Sequence, residues 1–371
     1  MSRTLVAARP GPPSALLNIA QAIFVRSSDG SYRTGVAATP IAFVAADVLR
    51  LESGRYLIEK LATNRCLNSR VTSAATYTAG TGTPTYDYAT GPDGTVTIAD
   101  RWALASAQYS RYFNYTLSTN RAAASAWRRH ATASGPHQML LTGGAGKAAG
   151  YVGTATTAWE RAALVQPNAA ATTNIFVAAD GRTVAVGSGT NLVAGAEDVI
   201  VDLLHMEIGV GYATSTIIAG AAAASRQADV MTWLAAEVPL RLREGRSSWT
   251  FCPCYSHTGL ISGDARVLGS WGGATDLLRL RHDGTGVLVE ALTATTVRAA
   301  SGYLTWAADA VMTVVVDPVS AVLTVTGAAT GNGAGAAGTA WAWTGGVGFR
   351  LGGEFGGLNE FDGGLSIPVA A

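Results

Sequence analysis

Leu277-Leu278-Arg279-Leu280-Arg281-His282-Asp283-Gly284-Thr285-Gly286-Val287-Leu288-Val289-Glu290-Ala291-Leu292 reads as a β-hairpin. Successive side chains of an extended chain point to opposite faces, so Leu278 and Leu280 share one face and Arg279 and Arg281 the other. His282-Asp283-Gly284-Thr285 turns the chain, and residues 287–292 return. A second hairpin follows. Residues 311–316 lead into Asp317-Pro318-Val319-Ser320, with Pro where a type I turn favours it, and residues 322–326 come back. Beyond the Gly/Ala loop at 327–338, strands are expected at 340–344, 348–352 and around 365–369. Short strands with regular turn signals point to an antiparallel sandwich or jelly roll. No short repeat marks a propeller or solenoid.

Upstream, residues 51–230 read as one further domain, with strands expected at 55–59, 96–99, 112–117, 124–129, 138–142 and 199–204. Turn clusters such as Gly91-Pro92-Asp93-Gly94 separate them. Residues 199–204 alternate Val, Val, Leu with Ile, Asp, Leu, the pattern of a strand buried on both faces. Val230, Trp233 and Leu234 have helical spacing before Pro239 interrupts, so 221–245 reads as the crossing between domains. Residues 1–50 read as an arm: Pro12-Pro13-Ser14 opens a short helix with Leu16, Ile19, Ala20 and Ile23 on one side. The expected fold class is therefore all-β, with two antiparallel β-sandwich (jelly-roll) domains at 51–230 and 231–371 behind an N-terminal arm at 1–50.

Composition limits the function classes. The 371 residues are 48% apolar and 14% charged, enough for sizeable cores. With 26 basic and 25 acidic residues and no basic stripe, a nucleic-acid partner is not expected. Three cysteines do not make a disulfide framework. No apolar run approaches the roughly 20 residues of a bilayer span, so membrane insertion is not expected. Pro10, Pro12 and Pro13 occupy the place of an apolar signal core after Arg3 and Arg9, which argues against a secretory leader.

Chemistry-bearing motifs are sparse. Asp202 and Glu207 are acids without the spacing of a glycan-cleaving pair. The five histidines form no His-Glu-x-x-His site. Cys252-Pro253-Cys254 with His257 comes nearest to a metal cluster, but its Cys spacing is short for tetrahedral zinc. The simpler reading is two strand residues buried on one face. No Gly-x-Ser-x-Gly elbow is present, and Gly143-Gly144-Ala145-Gly146-Lys147 lacks phosphate-loop spacing. No catalytic residue or cofactor is expected. Asp93, Asp100 and Asp229 are candidates for a structural calcium, held by loop carboxylates. Flat sugar faces stack on aromatic rings, which makes Trp102, Tyr109, Trp127, Trp341 and Trp343 the candidate glycan contacts. The competing reading for each is core packing.

Several strings together resemble a known family. Gly54-Arg55-Tyr56-Leu57-Ile58-Glu59-Lys60-Leu61-Ala62-Thr63-Asn64, followed by Asn68-Ser69, resembles the "LLIE-x-x-x-TN" stretch of bacteriophage tail-fibre and head-fibre minor structural proteins. Gly91-Pro92-Asp93-Gly94 with Ala99-Asp100-Arg101 resembles their "PDG…ADR" element. Val201-Asp202-Leu203, Glu207, Gly211-Tyr212-Ala213-Thr214-Ser215, Arg226 and Ala228-Asp229 resemble their "QLE-x-G-x-x-ATSYI…TR-x-AD" signature. His205-Met206 before Glu207 and Thr216-Ile217-Ile218 after Ser215 depart from it. The resemblance covers roughly 24–230. It implies a galactose-binding-type jelly roll followed by a domain similar to laminin-G or concanavalin-A sandwiches. It also implies location in the virion, assembly with other virion proteins, and homo-oligomers, usually trimers. A host-surface glycan is the expected ligand. The alternatives are a glycan-degrading tailspike-type enzyme and a capsid decoration without receptor binding.

Overall fold

The computed structural model describes residues 15–70, 80–110, 112–116, 121–143, 148–166, 173–272, 275–329, 340–343, 348–353 and 361–371. Residues 1–14 of the expected arm, the glycine-rich run at 144–147 and most of the loop at 327–338 lie outside them. The described chain is all-β, in several antiparallel sheets.

The chain divides into two compact units, Met1–Asp29 with Val44–Leu61 and Gln227–Ala371, and Gly30–Phe43 with Ala62–Arg226. The second is thus inserted into the first, and the chain passes between them four times. This differs from boundaries drawn at 50 and 230. Residues 15–29 are no separate arm: Ile23–Val25 is a strand paired with Val230–Trp233. Arg55–Ile58 belongs with the C-terminal residues, pairing with Gly363–Leu365.

The inserted unit is a sandwich. One sheet runs Glu160–Gln166, Ala122–His130, Glu197–Ile208, Ala99–Leu104, Pro84–Ala89. The other runs Ser188–Gly189, Ala148–Ala155, Gly135–Gly143, Thr173–Val177, Tyr112–Thr116. Ala124, Ala126, Leu204 and Met206 from the first pack with Met139, Leu141 and Phe176 from the second. The small alanines let the layers close. The outer face of the first sheet is also covered, by Ile41, Trp127, Trp159, Ile200 and Leu203. That is why Val199 through Leu204 are all buried, as the apolar run at 199–204 implies. A bulge opposite Ser125 and Trp127 shifts the register, and Leu203 takes φ 52° there.

The outer unit is also a sandwich. One sheet runs Ile23–Val25, Val230–Trp233, Phe349–Leu351, Ala265–Trp271, Asp276–His282, Val287–Thr293, Thr296–Ala300. The other runs Val322–Gly327, Met312–Asp317, Ser247–Pro253, Gly363–Leu365, Arg55–Ile58, Leu51–Glu52, with Val369–Ala370 on Ser247–Pro253. Trp249 of the second sheet meets Trp271 and Phe349 of the first at 5.7 and 5.8 Å between ring centres. Both expected hairpins form, as Asp276–His282 with Val287–Thr293 and Met312–Asp317 with Val322–Gly327.

Other expectations need correction. The helix at Leu16–Ile23 is only a 3-10 turn, Ile19–Gln21, capped by the Asn18 side chain, before the chain extends. Val230–Trp233 is a strand with Met231 and Trp233 buried, so its spacing was period two and not helical. Val96 lies 73% exposed outside the strand, which begins at Ala99. Residues 340–343 are not a strand.

Candidate functional site

Of the five aromatic candidates, three are walled in. Trp102, Trp127 and Trp343 are 2%, 4% and 1% exposed, so no external sugar reaches their faces. Trp102 fills a cluster with Leu104, Val199 and Val201. Trp127 covers the outer face of its sheet and donates Nε1–H to Thr216 Oγ1 at 3.0 Å. Trp343 lies flat on Trp271, with ring centres 3.8 Å apart and planes 4° apart, and donates Nε1–H to the Leu292 carbonyl at 3.0 Å. Burial of a large apolar ring outweighs any residual contact role at these positions.

Two candidates remain accessible in part. Trp341 is half-buried and stands edge-on to Trp343, 5.8 Å between centres at 81°. Trp343 in turn is backed by Trp271, so Trp341 rests on a rigid aromatic stack. Tyr109 is half-buried too, but the Arg182 guanidinium lies 3.9 Å over its ring and occupies that face. Asp180 holds Arg182 in place through Nη2 at 2.6 Å.

Sequence reasoning passed over the more exposed rings. Tyr88 is 44% exposed, with Arg101 at 5.1 Å, and Tyr303 is 47% exposed and donates to Asp283 Oδ2 at 2.9 Å. Tyr86 and Tyr88, two apart on Pro84–Ala89 at a sheet edge, were the available signal.

The three calcium candidates do not converge. Asp93 pairs with Arg70, which also reaches Asp202 at 3.2 Å. Burial pushes the Asp93 carboxyl up, but Arg70 and the Thr95 groups outweigh it and hold it below the usual range. Asp100 is buried and accepts the Asp87 N–H at 3.1 Å. Asp229 lies in the other unit, between two arginines. Arg50 spans Glu59 at 2.6 Å and Asp229, while Arg26 reaches Asp229 at 3.3 Å. All four side chains are essentially sealed from solvent. Burial works against the Arg50 charge, yet Glu59 and Asp229 overcome it and raise its pKa. Among the described residues, no group of three His, Cys, Asp or Glu could hold a metal ion.

Cys252 and Cys254 are half-buried; the sealed face of Ser247–Pro253 carries Trp249, Phe251 and Pro253 instead. Cys252 Sγ donates to the Asp309 carbonyl at 3.1 Å, and His257 Nδ1 sits 3.0 Å from the Trp306 carbonyl. These residues serve loops and do not meet as ligands.

Asp202 and Glu207 lie on one strand with a bulge between them, roughly 13–16 Å apart by strand rise. A glycan-cleaving pair needs about 5–9.5 Å. Each is also engaged locally. Burial raises the Asp202 pKa to about 7 against the pull of Arg70. Glu207 accepts both the N–H and the hydroxyl of Thr214, at 2.6 and 3.1 Å. Glu197, raised to about 8 by burial, faces the opposite side of the strand from Asp202.

One polar group escaped sequence reasoning. Ser125 and His205 are cross-strand partners, and Glu207 follows two residues on. The trio has the composition of a nucleophilic triad but not its order. Arg161 donates to Ser125 Oγ at 2.8 Å and lies 3.1 Å from His205 Nδ1, so it stands between them. His205 Nε2 faces Glu207 at 3.8 Å. Ser125, His205 and Glu207 are buried, and the group ties strand to strand.

No family model matches the chain, and no curated protein matches it.

Proposed function

We propose that this chain is a non-catalytic structural and binding component of a bacteriophage particle, a fibre, spike or capsid decoration. In this reading it assembles with other virion proteins and with copies of itself, as a trimer, and touches a host-surface glycan through Trp341. Assembly covers the sheet edges that otherwise invite pairing with other chains. One observation carries the reading: the residues that resemble the fibre-protein strings are spent on the fold. Asn64 donates to the Leu204 and Ile217 carbonyls at 3.0 and 2.7 Å. Asp93 and Asp202 share Arg70, Glu207 holds Thr214, and Arg226 donates to Ser215 Oγ at 2.7 Å. The acids of those strings are thus committed to structural pairs, while Trp341 keeps partial exposure on a rigid support.

Electron cryo-microscopy of the producing particle tests the placement, with density for this sandwich pair expected on the tail or shell. Light scattering of the purified chain should give a trimer; a stable monomer removes that part. Trp341→Ala should weaken binding to host surface polysaccharide by about tenfold, the scale of one aromatic contact, and lower the melting temperature by only a few degrees, through the lost edge contact with Trp343. Release of oligosaccharides from that polysaccharide would overturn the non-catalytic reading.

A further inference from the structure

The gap between the two five-stranded sheets of the inserted unit is apolar in two places and polar elsewhere. Ala124, Ala126, Leu204 and Met206 belong to one buried cluster, and Trp102, Leu104, Val199 and Val201 to another. Strand alternation turns Arg128 to the side of Ala126, His137 to that of Met139, Tyr151 to that of Ala149, Glu160 to that of Ala162, and Glu197 to that of Val199. All five therefore face the gap. Arg128, His137 and Glu197 are 4%, 0% and 3% exposed.

Their hydrogen bonding is half complete. Arg128 Nη2 donates to Tyr151 Oη at 2.5 Å and reaches Glu160 Oε2 at 3.4 Å, while Nε and Nη1 have no partner. His137 Nε2 lies 2.7 Å from the Ala178 carbonyl. A carbonyl only accepts, so Nε2 carries the proton and Nδ1 is an acceptor, and it too has no partner. Glu197 accepts the Gln138 N–H through Oε1 at 2.7 Å, and its Oε2 is unmatched. Tyr151 brings two of these groups together: its ring centre is 6.0 Å from that of His137, and the Arg128 guanidinium lies 5.1 Å over it. The Arg128 charge acts on His137 and on Glu197 as well. Buried polar atoms left this way are rare in native folds and mark an ion or ordered water.

We infer that this polar seam is a binding site for buried water, which accepts from the Arg128 guanidinium and donates to His137 Nδ1. The required ligand is amphoteric. A halide can accept from Arg128 but has no proton for Nδ1. A metal cation is repelled by Arg128. Water meets two to four polar partners in such sites, as these side chains provide.

A high-resolution crystal structure of the full chain tests this directly. Water density within hydrogen-bonding distance of Arg128 Nε or Nη1 and of His137 Nδ1 is expected. Bromide-soaked crystals should show no anomalous peak there. A bromide peak beside Arg128, or a seam with no density, overturns the inference. In solution, oxygen-17 relaxation dispersion counts long-lived internal waters. Arg128→Met and His137→Phe should each lower that count relative to the parent chain, and an unchanged count in a folded variant counts against the site. Should neither variant fold, the crystal structure of the parent chain still decides.

Discussion

Asp229 shows what a single buried charge demands. Its carboxylate serves Arg50, Arg26 and the Glu59 N–H at once, and the Arg50 partner stands 179 residues away in sequence. Removing one member of a buried, hydrogen-bonded set leaves the others uncompensated, which typically costs about 3–5 kcal/mol. Arg50→Met should therefore lower stability by roughly that amount, read as a drop in the urea midpoint at unchanged slope. A loss below about 1 kcal/mol would mean that water already reaches the cluster. Glu197 gives a residue-scale pH signature. The folded chain keeps its proton up to about 8, while the unfolded chain releases it near the ordinary carboxyl value of 4.5. The folded state thus binds more protons across that window, so this group makes stability fall as pH rises through it and contributes no slope above. His137, lowered to about 3 by burial and by Arg128, works the other way: its contribution is complete above 6.5 and is lost as pH falls toward 3. Glu197→Gln keeps the shape and replaces the protonated acid with an amide donor. It should melt several degrees above the parent at pH 9, with the gap closing by pH 5, in paired thermal scans. Equal melting temperatures at both pH values would place Glu197 in a wetter setting than its burial implies.

At the scale of elements, two hairpins of similar form differ in how they announce themselves. His282-Asp283-Gly284-Thr285 carries turn residues, and alternation flanks it, so residues 277–292 were legible. The next hairpin, Val287–Thr293 with Thr296–Ala300, turns through Ala294 and Thr295 at φ 48° and 66°. Two positive φ angles are what a type I′ turn needs, and Asn-Gly satisfies them without the Cβ strain that Ala and Thr incur. Nothing in Ala-Thr signals a turn, which is why sequence reading missed the strand. The double substitution Ala294→Asn with Thr295→Gly should raise stability by on the order of 1 kcal/mol in thermal or urea unfolding. A decrease would show that the Thr295 hydroxyl bond to the Ala294 carbonyl matters more than the backbone strain. The same logic explains the other misreadings. Val230 and Trp233 suit either a helix or a strand over so short a run, and only the partners Ile23–Val25 and Phe349–Leu351 decide. The candidate site was legible only in part: composition and spacing identify tryptophans, but burial depends on strands far away in sequence. Trp343 is sealed by Trp271, seventy-odd positions earlier, whereas Trp341, two residues away, keeps some exposure.

For the whole molecule, the decisive feature is that one sandwich is spliced into another. The Arg26, Arg50, Glu59 and Asp229 cluster gathers residues beside every crossing of the chain between the units. Arg26 also donates to the Ala45 carbonyl at 2.8 Å, and the Asp229 N–H donates to the Glu59 carbonyl at 2.8 Å. Within the outer unit, then, the ends flanking residues 30–43 are held close, and so are those flanking 62–226. A boundary at 230 makes residues 231–371 a domain able to fold alone. The strand pairing says otherwise, because Val230–Trp233 lacks Ile23–Val25, and Gly363–Leu365 lacks Arg55–Ile58. Expressed alone, residues 227–371 should show no cooperative thermal transition and should aggregate through their open sheet edges. A chain keeping residues 15–29, 44–61 and 227–371, with short Gly-Ser linkers in place of 30–43 and 62–226, restores those strands and both arginines. It should unfold in one cooperative step by calorimetry. Cooperative folding of 227–371 by itself would mean that the upstream strands are ornaments on a complete sandwich. Failure of the linked chain, with the full-length protein folded, would mean that the inserted unit is needed to hold the crossings together.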